Sequence, residues 1–217
     1  MDIEDFPFKF FAGKRYFSYK DYAVIGDLHF GKVKGIEERA KDEFLIKEII
    51  SIPFDKLIIL GDVRTDFLPS KIAEKHYLQK LFKKITENKQ IFLIKGNHDS
   101  LVYKVISDVI ITRKLIIDNI GFIHGHFIPE RSFIEKIDYL VMAHLHPSFS
   151  YYDSNKVKYV EDCWEFGAMK IYKKEIGYLI VPKFNFFEGG REENENKGIL
   201  KFISSRQRMT LNLQVID

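Results

Sequence analysis

The chain has one cysteine, Cys163, in 217 residues. A single thiol excludes an internal disulfide, a CxxC-type zinc site and a thioredoxin-like redox pair, and it suits a reducing cytoplasm. Long hydrophobic runs are missing too. The longest stretch free of Asp, Glu, Lys and Arg is Tyr139–Tyr152, fourteen residues interrupted by His144, His146 and Pro147. A membrane helix needs ~20 mainly apolar residues, so no membrane span is expected. Charge of one sign is also scarce: 34 Lys and Arg against 31 Asp and Glu leave +3. That balance is too weak to announce a nucleic-acid binder and excludes an acidic tail. The first residues, Met1 to Phe6, are acidic and no apolar segment follows, unlike a secretory leader. A cytoplasmic location is expected. With 46% hydrophobic residues the chain can bury a full core without a disulfide or structural metal. At roughly 100–200 residues per domain, residues 1–217 read as one domain.

What the sequence does have is a rhythm between residues 22 and 147. Short apolar runs rich in Ile and Val occur at Tyr22–Ile25, Leu57–Leu60, Ile91–Ile94, Ile120–Ile123 and Tyr139–Ala143. Continuous runs of this length fit strands buried on both faces. Between the first three, Ile36, Ala40, Phe44 and Ile49, then Ile72, Tyr77, Leu81 and Ile85, recur at helical spacing. The alternation predicts a parallel α/β sheet. Leu115–Ile117 and Ile120–Ile123 flank Asp118-Asn119 as a hairpin would, so the later sheet is expected to be partly antiparallel. From about Lys156 to Asp217, short apolar and charged groups alternate and predict further strands on the same core. The polar stretch Gly189–Gly198 interrupts them as a surface loop.

Each apolar run stops at side chains that can ligate a metal. Asp27 and His29 follow Gly26, and Asp62 follows Gly61. Asn97, His98 and Asp99 follow Gly96, His124 and His126 follow Ile123, and His144 and His146 follow Ala143. Six of the seven histidines therefore lie at strand ends, leaving only His76, expected to be an ordinary partly buried residue of a Lys- and Glu-rich helix. In α/β folds the carboxyl ends of strands bring side chains from separate segments together. Carboxylates, an amide and imidazoles without thiols suit Mn²⁺, Fe²⁺ or Zn²⁺ and argue against copper(I) or iron–sulfur chemistry. Asp-x-His and His-x-His can both point into a site only if the segment leaves regular strand geometry or follows its same-face period of two. Singly, each motif has an ordinary explanation. Their order, each closing a strand, points to a metal centre.

Asp27/His29, Gly61-Asp62, Gly96-Asn97-His98-Asp99, His124 and His144/His146, in that order, resemble the calcineurin-like metallophosphoesterases. The similarity covers about residues 22–147, with Ala143 standing where the family usually has Gly. Asp27–Gly31, His124–His126, His144–Pro147 and the tail around Leu179–Pro182 and Phe184–Gly190 look closest to the ICC-like phosphoesterases related to the SbcD nucleases. The resemblance implies a four-layer α/β/β/α sandwich with mixed sheets. It implies two divalent metal ions, Mn²⁺ first, with Fe²⁺, Zn²⁺, Ni²⁺ or Mg²⁺ as alternatives. Asp27, His29 and His146 would hold one, Asn97, His124 and His144 the other, and Asp62 would bridge both. A water or hydroxide between the metals would attack phosphorus in line. His98 resembles the general acid, with Asp99 expected to orient its imidazole and raise its pKa.

Three further expectations concern the approach to that site. Arg64 either reaches a phosphate oxygen or forms an ordinary surface ion pair. His126 either contacts substrate or stabilises its turn by a local hydrogen bond. Lys32 and Lys34 either line the approach or simply solvate that face. The function implied is phosphodiester hydrolysis on DNA, RNA or a nucleotide. The small net charge, and the about 70 residues after the last motif, leave little room for a large DNA-gripping domain. A small-molecule phosphatase or cyclic-nucleotide phosphodiesterase is therefore the alternative within the enzyme class. A non-catalytic scaffold, as in the retromer subunit that resembles these enzymes, is the alternative outside it. The intact ligand set and His98 count against the scaffold. A homodimer is compatible with each reading.

Overall fold

The computed structural model of the chain describes residues 3–31, 36–64, 72–99, 102, 106–187 and 198–216. Lys32, Lys34 and most of the polar loop, 189–197, lie outside these. Lys9–Phe10 (β1), Phe17–Tyr19 (β2), Tyr22–Ile25 (β3), Lys56–Ile59 (β4), Gln90–Ile94 (β5) and Val109–Thr112 (β6) form one sheet in that order. From β3 to β6 the pairing is parallel, and Ile36–Ser51 (α1) and Ile72–Thr86 (α2) cross over between the first three of these strands. β1 and β2 add antiparallel to the other edge.

The second sheet is mixed, as the later apolar runs predict. Lys114–Ile117 (β7) and Ile120–Ile123 (β8) form the hairpin around Asp118-Asn119, with Asp118 at a φ of 53°. Tyr139–Met142 (β9) pairs parallel to β8 and to Lys174–Ile180 (β12). Lys158–Ile171 (β11), Ile203–Thr210 (β13) and Val215–Ile216 (β14) continue antiparallel, and Ser148–Tyr152 (β10) pairs with the start of β11. Arg131–Ile134 (α3) and a 3₁₀ turn at Gly198–Phe202 cover its outer face.

The period of two along each strand divides the core into three apolar layers. Ala23, Ile25, Leu57, Ile59, Ile91 and Leu93 meet Leu45, Ile46, Ile49, Leu81 and Ile85 of the helices. Val24, Ile58, Leu60 and Ile94 face the other way, against Phe122, Val141, Trp164, Phe166 and Leu179 of the second sheet. Leu140, Met142, Met169 and Tyr178 pack under Phe133, Ile134, Ile199 and Leu200. The result is the expected α/β/β/α order, with a thin fourth layer.

Three placements in the helices differ from the sequence reading, since Ala40 and Phe44 of α1 and His76 of α2 are all exposed. Phe44 is 46% exposed, because the buried stripe of α1 runs through Leu45, Ile46 and Ile49 one position on. His76, expected to be partly buried, is exposed. Among the described residues no helix is long and apolar enough to cross a membrane.

Candidate metal centre

The ligand-bearing residues sit where the main chain turns out of the strands. Asp27, His29, Asp62, His144 and His146 have φ of 54°, 45°, 48°, 69° and 44°. This left-handed region is uncommon for non-glycine residues, though Asp and His tolerate it better than most. The turns explain how residues one position apart aim at one place. Main-chain bonds hold them: the Asp27 and His29 amides donate to Gly61 and Asp62 carbonyls at 3.2 and 2.9 Å, and the Ala143 amide to His124 at 2.9 Å. Gly61, with φ of 85°, and Gly96 allow β4 and β5 to end in near contact. A Cβ on Gly96 would lie 2.1 Å from Asp62 Oδ1.

Two donor clusters result. Asp27, His29 and His146 offer ligand atoms within 4.8 Å of one another, as do Asp62, His124 and His144. In the first, His146 Nε2 is 3.4 Å from both Asp27 Oδ2 and His29 Nε2. In the second, His124 Nε2 is 3.2 Å from Asp62 Oδ2 and 3.1 Å from Asn97 Oδ1, which brings Asn97 into the set. The clusters touch through Asp27, whose Oδ1 is 4.0 Å from His124 Nδ1 and whose carboxylate accepts the His144 amide at 3.0 Å.

The donor set fits divalent cations. His124 Nδ1–H donates to the Leu60 carbonyl at 2.6 Å, which turns Nε2 toward Asp62 and Asn97. A ring nitrogen oriented by a hydrogen bond on its partner nitrogen is the usual arrangement of a metal-ligating histidine. Two imidazole nitrogens beside a buried carboxylate, as in the first cluster, converge on a point that a cation would satisfy. Cys163, buried elsewhere with its thiol pushed up to about 12 by that burial, plays no part.

The electrostatics match this reading. Burial opposes ionisation of Asp62, yet His124 and the His98 amide hold its carboxyl well below the usual range. Burial likewise disfavours a charged His124, but its hydrogen bond to Asp62 and the charges of Asp27 and Asp62 push it up to about 9. His144 is driven down to about 4 by burial and then by charge on His124, so its lone pair is open.

The remaining candidates separate. His98 Nε2 is 4.0 Å from Asp62 Oδ2, and its main-chain N–H donates to Asp62 Oδ1 at 3.1 Å. Asp99 does not take the place expected for it beside the His98 imidazole. Its oxygens accept the Val63 and Gly96 amides, both at 2.9 Å, so it ties the β4 and β5 loops together. Burial lifts its carboxyl to about 6. His126 is exposed at the rim, in ring contact with His124, Phe127 and His144, and makes no hydrogen bond to the described residues. The turn-stabilising bond expected of it is therefore not formed. Arg64 is half-buried and its main chain bridges to Phe30, beside the first motif.

One residue escaped the sequence reading. Asn185, 5% exposed, donates to the Leu28 and His29 carbonyls at 3.0 and 3.4 Å, and its own amide donates to Asp27 at 3.3 Å. It clasps the turn carrying Asp27 and His29 from the far end of the chain. Only its place in a tail already noted for Leu179–Gly190 hinted at a role.

The sequence pattern of the calcineurin-like phosphoesterase family matches residues 21–195. A search of curated proteins gave no match. Among solved structures, the nuclease MPE of Pseudomonas putida aligns with a TM-score of 0.60 at 18% identity, covering 93% of this chain and 92% of that one. Vps29 of Chaetomium thermophilum aligns less well, with a TM-score of 0.40 at 11% identity over 87% and 82% of the two chains. The family's pattern spans all five strand-end segments whose side chains meet in the two clusters: the chain belongs to the calcineurin-like phosphoesterase family.

Proposed function

We propose that the protein hydrolyses phosphodiester bonds in a nucleic acid or nucleotide, with two divalent cations, Mn²⁺ foremost, in the paired clusters. The observation that carries this is the juxtaposition of two carboxylate–imidazole donor sets joined through Asp27, with His98 beside Asp62. Asp27, His29 and His146 would hold one cation, and Asn97, His124 and His144 the other. Asp62, an anion between cations that repel each other, would serve both. When bound, such a pair supplies Lewis-acid neutralisation of the phosphoryl oxygens and makes a water acidic enough to attack at neutral pH.

The chain's own contribution is orientation and a proton. Leu60 fixes the His124 ring, Asn185 and the Gly61 carbonyl fix the Asp27–His29 turn, and Asp62 anchors the His98 main chain. His98 Nε2 would protonate the departing oxygen. The exposed His126, beside His144, and Arg64, whose main chain bridges to Phe30 next to the first motif, would meet the substrate. The fold shared with a nuclease is in keeping with this substrate class.

Hydrolysis of bis-p-nitrophenyl phosphate with added Mn²⁺ tests the reading, with Asp62→Asn expected to abolish turnover. The diester should be cut in preference to p-nitrophenyl phosphate; the reverse preference would make the protein a phosphatase. No turnover with any divalent metal would sink the enzymatic reading.

A further inference from the structure

Beside the Asp27–His29 turn lies a cluster of rings that the hydrolytic chemistry does not use. Phe186 and Phe187 directly follow Asn185 and pack on Phe44 of α1, with ring centroids 4.4, 5.7 and 6.0 Å apart. All three rings are exposed, by 40%, 42% and 46% for Phe186, Phe187 and Phe44. Exposed, mutually packed aromatics waste apolar burial unless something covers them. Each ring of the tail also carries a cation: the Arg15 guanidinium lies 5.9 Å from the Phe186 centroid and the Lys41 ammonium 5.7 Å from that of Phe187. Asp162 pairs with Arg15, but Lys183 pairs with the same carboxylate, so two cations face one anion there. A cleft of about 290 Å³ runs alongside, lined in part by Lys14, Arg15, Tyr16 and Phe186, with Glu48 on its wall. The patch is continuous with the metal loop, because Asn185 Oδ1 accepts the Phe187 amide at 3.1 Å while its Nδ2 holds Leu28 and His29.

Rings with interleaved cations are what unpaired bases and their phosphates need: π-faces take the bases in any sequence, and the cations take the backbone. A duplex hides its base faces and offers the rings nothing. Three packed rings present more surface than one base covers, which favours a strand over a mononucleotide. Resting on the phosphodiesterase reading above, we propose that Phe44, Phe186 and Phe187, with Lys14, Arg15 and Lys41, form a platform that holds single-stranded nucleic acid next to the metal centre.

Fluorescence anisotropy of the full chain with labelled oligothymidylate or oligouridylate, in EDTA so that nothing is cut, reads the platform alone. The two arms separate DNA from RNA. Phe186→Ala with Phe187→Ala should weaken binding ~10-fold or more, whereas Phe187→Trp, which keeps a stacking face, should retain it. Lys41→Gln should lower the slope of log affinity against log salt by about one. Tyr172→Ala is the aromatic control. It sits in the β11–β12 turn, at the end of β12 opposite Ile180, the residue that pairs with Met142 beside the metal loop, is 42% exposed, and should bind like the parent. Undiminished binding by the double variant, or no binding by the parent, would overturn the platform whatever the diester assay shows. A parent dimer that the double variant converts to monomer, without change in oligonucleotide affinity, would make the patch an interface between copies and also overturn it. Oligonucleotide binding without diester hydrolysis would instead leave the platform standing and remove the phosphodiesterase reading.

Discussion

His98 Nε2, 4.0 Å from Asp62 Oδ2, belongs to neither donor cluster. An alkoxide leaving phosphorus must collect a proton, whereas p-nitrophenolate leaves without one. His98→Ala should therefore slow cleavage of a dinucleotide by ~10²–10⁴-fold. The same variant should lose far less on bis-p-nitrophenyl phosphate. An equal deficit on the two substrates, measured as kcat, would remove the proton-donor role and leave His98 as a substrate contact. Asp99 presents the opposite case. A carboxylate next to a histidine invites an orienting role, but this one is consumed by two amides 36 and 3 positions away. Motif adjacency shows which residues reach a loop, and only geometry shows which atoms they meet.

The loops that end β4 and β5 approach so closely that two glycines become structural parts of the site. At Gly96 an added Cβ meets Asp62 Oδ1 and the Asp62 amide nitrogen at 2.1 and 2.4 Å; at Gly61 it meets the Gly96 nitrogen at 2.6 Å. Gly96→Ala should destabilise the fold by ~1–3 kcal/mol through overpacking. By thermal melting that corresponds to a fall of ~2–4 °C per kcal/mol for a chain of this size. Metal binding should suffer as well, because the displaced atom belongs to Asp62. Elements of this kind were legible in the sequence for a physical reason. Strands buried on both faces must be apolar throughout, so β3, β4, β5, β8 and β9 stand out and their polar ends stand out against them. β1 has two residues, and β10 reads Ser-Phe-Ser-Tyr-Tyr, exposed at its far end. Such edge strands carry little apolar signal, and they went unread. Asn185 was out of reach on other grounds: its partners are main-chain carbonyls 156 and 157 residues away, and carbonyls have no sequence identity.

At the scale of the whole molecule, cations and protons compete for one set of lone pairs. In the metal-free protein His124 titrates at about 9, above the 6.5 of an unperturbed imidazole. Its contribution to stability is thus complete below 6.5 and lost as the pH rises through about 9. A cation on Nε2 must displace that proton. Titration with Mn²⁺ below pH 9 should release protons, and affinity should climb with pH until His124 is neutral. Calorimetry in two buffers of different ionisation enthalpy measures the release; a heat independent of buffer would show that His124 gives up no proton. Chelation should lower the melting temperature and Mn²⁺ raise it, since only the folded chain assembles both clusters. The left-handed turn that carries Asp27 and His29 is held by main-chain bonds to Gly61 and Asp62 and by Asn185, whereas the His144 and His98 amides lean on the Asp27 and Asp62 carboxylates. After a gene duplication, one copy could therefore trade its histidine ligands for neighbours in size and, with Asn in place of Asp27 and Asp62 to accept the same amides, keep its outline. Within such a lineage shape is inherited more faithfully than chemistry, and the loss of a reaction would be written in side chains alone.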